Sequence, residues 1–128
     1  MALNFRWPGG ASTRVRGNAA EDAALAHLLA HGLRLVERNY RTPGRGGGEI
    51  DLILREPDGT LVFVEVRSRA EASRGGAAAS IGATKRRRIV RAAQHYLLRQ
   101  RTLPPCRFDV VAMEGGRIDW LKAAFDTD

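Results

Sequence analysis

A single cysteine, Cys106, is the whole thiol content of this 128-residue chain. One thiol cannot close an intramolecular disulfide, and it offers no Cys/His cluster of the kind that holds zinc. A reducing compartment is therefore expected. The first residues, Met1-Ala2-Leu3-Asn4-Phe5-Arg6-Trp7-Pro8, lack the apolar stretch of a secretory signal, so the expected location is cytoplasmic. No apolar run approaches membrane-spanning length, which removes the membrane as an expected partner. Acidic residues are also short in number: 14 against 21 lysines and arginines, a formal net charge of +7. The excess gathers in Arg14/Arg16, Arg38/Arg41/Arg45, Arg67/Arg69/Arg74 and Lys85-Arg86-Arg87-Arg88. Such clustering is the electrostatic footprint of a protein that meets phosphate, with a merely solvated basic surface as the competing reading. Charge does not distinguish DNA from RNA, or binding from cleavage.

The length fits one domain with one reasonable core. Residues 1–16 show no periodicity and carry Pro8-Gly9-Gly10, which reads as a flexible basic arm ahead of a single domain over 17–128. A helix is expected from about Asn18 to His31, stopped by Gly32. Its apolar stripe is Ala24, Leu25, Leu28 and Leu29, and Glu21 falls on that stripe one turn earlier, while Asp22 does not. A strand over about Leu33 to Asn39 leads to Gly44-Arg45-Gly46-Gly47-Gly48. This glycine run lacks the Lys-Ser/Thr of a phosphate-binding loop and does not connect a strand to a helix, so no nucleotide site is assigned to it.

Two carboxylates, Asp51 and Glu65, then stand in consecutive strands, Glu49-Ile50-Asp51-Leu52-Ile53-Leu54 and Leu61-Val62-Phe63-Val64-Glu65-Val66-Arg67. The connection Glu56-Pro57-Asp58-Gly59-Thr60 favours a type I turn followed by a left-handed glycine. Glu56 then pairs with Thr60, and counting back sets Asp51 opposite Glu65. Strand alternation puts Glu49, Asp51 and Ile53 on one face with Leu61, Phe63, Glu65 and Arg67. Ile50, Leu52 and Leu54 share the other face with Val62, Val64 and Val66. A two-residue Asp-Gly loop would shift this register by one, but it would force Pro57 into the closing pair.

After a Gly/Ala/Ser-rich stretch, Ala70 to Gly82, a second helix is expected from about Thr84 to Gln100, with Thr84 as its N-cap. Ile89, Val90, Ala93, Tyr96 and Leu97 form its apolar side. Lys85 lies one turn before Ile89 on that side, and Arg87, Arg88 and Arg91 point outward. Pro104-Pro105 ends it, and a last hairpin runs through Arg107–Met113, a Glu-Gly-Gly turn and Arg117–Leu121. The order α-β-β-β-α-β-β implies an α/β fold with a mixed sheet flanked by helices.

Buried carboxylates lose hydration unless something compensates them. Two facing each other invite a divalent cation, Mg²⁺ or Mn²⁺, with the Val66 carbonyl as a further oxygen ligand. Hydrolysis of a phosphodiester needs that ion, a positioned water and a cation near the phosphate. Glu21 could hold a coordinated water, and Arg67 projects from the same face as Glu65. Arg45, Arg69, Arg74, Lys85, Arg86, Arg87 and Arg88 are the expected nucleic-acid contacts.

The pattern Glu21…Gly48-Glu49-Ile50-Asp51…Val64-Glu65-Val66-Arg67-Ser68-Arg69, followed by Lys85 and by Arg107-Phe108-Asp109-Val110-Val111, resembles the YraN-type uncharacterised bacterial proteins. The resemblance spans nearly everything from Gly17 onward. That family resembles a minimal member of the restriction-endonuclease-like, or PD-(D/E)XK, superfamily and is similar in core to archaeal Holliday-junction resolvases. The resemblance implies a central five-stranded mixed sheet with a helix on each side. It also implies Asp51 and Glu65 as metal ligands and Glu21 as the helix-borne acid. The superfamily motif ends in lysine, and this chain has Arg67 there. Arginine stays charged and binds phosphate bidentately, so it is a poor general base. Lys85 is the residue that could return an amine to the site.

Two functions follow as expectations: a Mg²⁺-dependent endonuclease acting on nucleic acid, with DNA favoured over RNA and branched or repair-intermediate DNA the class of substrate, or a non-catalytic nucleic-acid-binding module that keeps a nuclease-like fold. A purely structural subunit is a third class. A resolvase-like role would favour a homodimer, since two cuts need two sites. Other residues carry plainer readings. Glu49 is an edge-strand solubility residue, and Asp109 is a structural partner of Arg107 or of the backbone. His27 and His31 have metal-pair spacing but lie off the apolar stripe. Trp120 is read as packing and Cys106 has no partner for nucleophilic work.

Overall fold

The computed structural model describes residues 13–44, 47–68 and 81–127, with side chains from Ala19 onward. Helix α1 spans Thr13–Ala30, and strands β1 (Arg34–Arg41), β2 (Glu49–Arg55) and β3 (Leu61–Ser68) follow. Helix α2 covers Ala83–Leu97, and β4 (Cys106–Glu114) and β5 (Arg117–Phe125) complete the order. No helix among the described residues is long and apolar enough to cross a membrane.

Helix α1 begins at Thr13, ahead of the expected Asn18, so Gly17 lies inside it. An interior glycine costs about 1 kcal/mol against alanine, and the rest of the helix outweighs it. Its end is as expected. Gly32 takes φ 95°, its N–H donates to the Leu29 carbonyl at 3.0 Å, and the Leu33 N–H reaches back to the Leu28 carbonyl at 3.2 Å. This is a Schellman closure, sealed by contact between buried Leu28 and Leu33.

The five strands form one sheet in the order β1-β2-β3-β4-β5, antiparallel everywhere except between β3 and β4. A parallel neighbour needs a crossover, and α2 lies in the connection that provides it. The architecture is therefore the mixed α/β sheet expected from the sequence. Its two faces carry separate cores. Ala24 and Leu28 of α1 pack with Leu33, Leu52, Leu54, Val62, Val64 and Val111. Ile89, Ala92, Ala93 and Tyr96 of α2 pack on Ile53, Leu61, Phe63, Phe108 and Val110.

The β2–β3 turn closes as the Pro-Asp-Gly chemistry requires. Gly59 has φ 95°, and its N–H and that of Glu56 make 2.9 Å bonds to the Glu56 and Thr60 carbonyls. The register sets Leu52 against Val64 and Arg55 against Leu61. The β4–β5 turn uses Gly115 and Gly116, both at positive φ, the requirement of a two-residue primed turn.

Three expectations are corrected. Ile50 does not join Leu52 and Leu54; it packs with Tyr40 in the core under α2. Asn39 takes φ 51°, which breaks the alternation of β1, so Arg38 meets α1 while Tyr40 turns to α2. Ile50 is paired with Tyr40 and goes with it. Thr84 is not a cap: Gly82 occupies that position without a side-chain bond, and the Thr84 hydroxyl instead accepts from Arg87 at 3.3 Å. Leu29, read as core-facing, is 45% exposed; Ala24 and Leu28 meet the sheet, with Leu25 packed at their edge.

Asp109 is the structural residue the sequence implied. It is wholly buried and accepts from Arg107 Nε, Trp120 Nε1 at 2.9 Å and the Ala123 N–H at 2.9 Å. Arg107 also pairs with Glu56 at 2.6 Å. The clasp sits where the β4–β5 register shifts between Phe108 and Val110, and Ala123 bends at φ 51° to bring its N–H round.

Candidate metal centre

The β2–β3 ladder runs from Arg55/Leu61 to Leu52/Val64 and stops one residue short of Asp51 and Glu65. Beyond Leu52 the bonding changes partner. The Val66 N–H donates at 2.8 Å to Oδ2 of Asp51, so a side-chain carboxylate takes the place of a ladder carbonyl. The two carboxylates therefore lie together just beyond the paired region, close enough for their charges to couple, though not as the ladder pair that the hairpin count expected.

Glu65 is buried and Asp51 is half-buried. Burial, and then the neighbouring Glu65 charge, push the Asp51 carboxyl up to about 7, against the pull of the Val66 N–H. Glu65, a residue 5% exposed, is also raised by burial, with Lys85 and Arg67 opposing. Lys85 Nζ lies 3.3 Å from Glu65 Oε2 and Arg67 Nη1 lies 3.4 Å from the same oxygen. The second helix thus begins beside the hairpin's charged end, the condition under which Lys85 could supply an amine.

Glu21 approaches from the α1 side. Burial and the Asp51 charge raise its carboxyl, and Arg38 opposes them. It pairs with Arg38 at 3.5 Å, and Arg38 also holds Asp22 at 2.8 Å. Glu21 is therefore an outer member, electrostatically coupled to Asp51 and tied to β1 by an arginine that sequence reading did not connect to the site. Nothing in the spacing of Arg38 marked it, because the register shift between Leu35 and Glu37 decides which face it takes.

Among the described residues no three His, Cys, Asp or Glu side chains converge on one point. The donors present are two carboxylates, hard ligands that suit Mg²⁺ or Mn²⁺, and magnesium needs only one or two carboxylates because it retains water. Two neighbouring acids whose carboxyls are raised, Asp51 by burial and then by the Glu65 charge, are a place where a dication lowers the energy. The residues fit such an ion on that ground.

Of the expected nucleic-acid contacts, Lys85, Arg86, Arg87 and Arg88 all lie exposed on the first turns of α2. Arg45, Arg69 and Arg74 fall outside the described residues. The first turn of α2 holds no acidic residue, although a helix N-terminus favours acids and disfavours cations by about 0.3–1 kcal/mol each. A cation cluster there is unfavourable for the helix alone and favourable for anion contact. His27 and His31 instead stack at 4.4 Å and meet Trp120 edge-on, and exposed Cys106 bonds the Pro104 carbonyl; neither group faces the carboxylates' ion-pair partners.

Gly48 closes the glycine run to which the sequence assigns no nucleotide site. The structure gives it a steric duty: a Cβ there would run into the Arg88 carbonyl of α2. Gly48 lets β2 lie against the α2 backbone, and that approach is what brings Lys85 within reach of Glu65. Arg41, also missed, pairs with Glu49 at 3.5 Å beside this contact.

Residues 20–113 match the uncharacterised protein family UPF0102. The chain is 71% identical over 123 residues to a UPF0102 protein of Paracidovorax citrulli, covering 93% of this chain and 91% of that relative. It is 68% identical over 115 residues to one from Albidiferax ferrireducens, covering 90% of each. A UPF0102 protein of Cupriavidus necator is 60% identical over 117 residues, with 91% and 87% covered.

Proposed function

The chain belongs to the UPF0102 family, and we propose that it is a divalent-cation-dependent endonuclease acting on nucleic acid, DNA in preference to RNA. The observation that supports this most is the adjacent Asp51/Glu65 pair, one half-buried and one buried, with the Val66 N–H on Asp51 and with Lys85 and Arg67 on Glu65. Two acids of like charge side by side are costly unless cations compensate them, and a hard dication does so directly.

Asp51, Glu65 and the Val66 carbonyl would hold the ion, with Glu21 behind Asp51. When bound, Mg²⁺ or Mn²⁺ supplies Lewis acidity toward a phosphate oxygen and a water of lowered pKa. The chain's own contribution is electrostatic. Lys85 and Arg67 stand on the Glu65 side, where they stabilise negative charge growing on the phosphate. Arg67 fixes the phosphate's orientation through its planar donors. Lys85 carries the amine that the motif position lacks.

One observation favours a second reading. Glu65 already has two cations on a single oxygen, so the pair could persist in a binding module without catalysis. A panel of labelled DNA and RNA structures incubated with Mn²⁺, wild type beside Asp51→Ala, separates the two. Cleavage lost in the variant supports the endonuclease. Absence of cleavage by wild type, with affinity kept or increased in Asp51→Ala, supports the binding module.

A further inference from the structure

A cleft of about 390 Å³ opens next to the carboxylate pair, lined by Arg41, Thr42, Glu49, Lys85, Arg88 and a glycine wall. It shares Lys85 with the Glu65 ion pair. We propose that this cleft receives one unpaired nucleotide adjacent to the scissile phosphate, with Arg41 and Arg88 contacting its phosphates, so that the site acts on single-stranded or locally melted nucleic acid. The inference rests on the endonuclease reading for what happens at Asp51 and Glu65, but not for the binding it describes.

Charge, shape and size each support it. Three cations face a single carboxylate, Glu49, which Arg41 already pairs. The wall facing them is backbone. Thr42 Oγ1 accepts the Gly48 N–H at 2.7 Å and the Thr42 N–H donates to the Gly48 carbonyl at 3.0 Å. A Cβ on Gly47 would come within 2.6 Å of Thr42 oxygens, and one on Gly48 would meet the Arg88 carbonyl. Glycine is thus required by the packing at both positions, and the cleft is a built concavity instead of a gap between mobile side chains. Pockets that enclose a single drug-sized molecule begin at about 300 Å³. That is room for one nucleotide and not for a base pair stacked between its neighbours. Since Glu65 is buried and Asp51 half-buried, a strand leaving its duplex reaches them more readily than one held within it.

The test is metal-free binding by fluorescence anisotropy, using a labelled single-stranded oligonucleotide and its duplex. Proteins compared are wild type, Arg41→Gln/Arg88→Gln, and the charge-matched control Arg117→Gln/Lys122→Gln on β5. Wild type is expected to prefer the single strand, and the cleft variant to lose about tenfold on it with far less change on duplex. Its log–log salt slope on the single strand should fall by about 0.7 for each arginine removed. The control should lose much less, and unchanged circular dichroism melts confirm that the variants fold. Equal losses on both nucleic acids, equal losses in cleft and control variants, or no wild-type preference each overturn the inference. Cleavage assayed in parallel with Mn²⁺ keeps the two failures apart: cleavage without strand preference removes only the cleft, and strand binding without cleavage removes only the nuclease.

Discussion

Lys85 Nζ lies 3.3 Å from Glu65 Oε2, joining the first turn of α2 to the third strand. The contact puts an amine beside a buried acid whose motif neighbour, Arg67, cannot give up a proton. Lys85→Ala should therefore reduce Mn²⁺-supported cleavage by about 100-fold or more, with much smaller change in metal-free nucleic-acid affinity. Lys85→Arg should not restore the rate, since it returns the charge without the compact amine. Unchanged cleavage by Lys85→Ala would remove the residue from the mechanism.

The Asp51 carboxyl, raised from 3.8 to about 7, sets the sign of a pH dependence. A group raised in the folded state stabilises the fold fully below its unfolded value and withdraws that stability as pH climbs through the folded value. Metal-free protein should accordingly lose stability between about pH 4 and 7, by up to roughly 4 kcal/mol at about 1.4 kcal/mol per pKa unit. Glu21 and Glu65, raised in the same direction, act with it. Urea unfolding across that range should show the decline, and Asp51→Asn should flatten most of it.

Binding of a dication must displace whatever proton Asp51 holds. Calorimetric titration of Mg²⁺ or Mn²⁺ at pH 7 in buffers of different ionisation enthalpy should report net proton release, which Asp51→Asn abolishes. Chelator should leave the fold intact at pH 5, where protonation already relieves the repulsion.

Gly48→Ala inserts a methyl between β2 and the Arg88 carbonyl. Overpacking of this sort costs about 1–3 kcal/mol. The thermal midpoint should fall, and the displacement of α2 should lower cleavage as well, because Lys85 travels with that helix. A variant as stable as wild type would show that the helix accommodates the methyl.

Asp109→Ala leaves Arg107, the Trp120 indole and the Ala123 N–H without their shared acceptor. Breaking a buried charge pair by removing one partner costs about 3–5 kcal/mol, so the denaturation midpoint should drop sharply. Metal affinity in the folded fraction should be unaffected, which separates this carboxylate from Asp51.

The hairpin that carries the acids was legible in the sequence because Pro57, Asp58 and Gly59 each admit few backbone conformations, so register could be counted from the turn. Asp109 was legible because a carboxylate two residues from an arginine in an apolar strand has few other uses. Tyr40 and Ile50 were not, since one left-handed residue, Asn39, reverses the face of everything after it in β1. Thr84 was misread because a threonine ahead of an apolar stripe is a good cap by rule, while the chain enters α2 one residue earlier and leaves Gly82 in that place. The duty of Gly48 and the linkage of Glu21 to Arg38 depend on how separate elements meet, which no local pattern encodes.

The single parallel junction in the sheet, between β3 and β4, bears on the order in which the chain assembles. The two acids belong to a tight hairpin, an element that closes locally in microseconds. Their counter-charge on α2 lies within the longest connection between successive strands, from Ser68 to Cys106. Loop closure over that span is paid before its contacts reward it, so non-local pairing is slow. The nascent chain therefore brings the two acids together with Arg67 first, and Lys85 arrives with the step that commits the whole sheet.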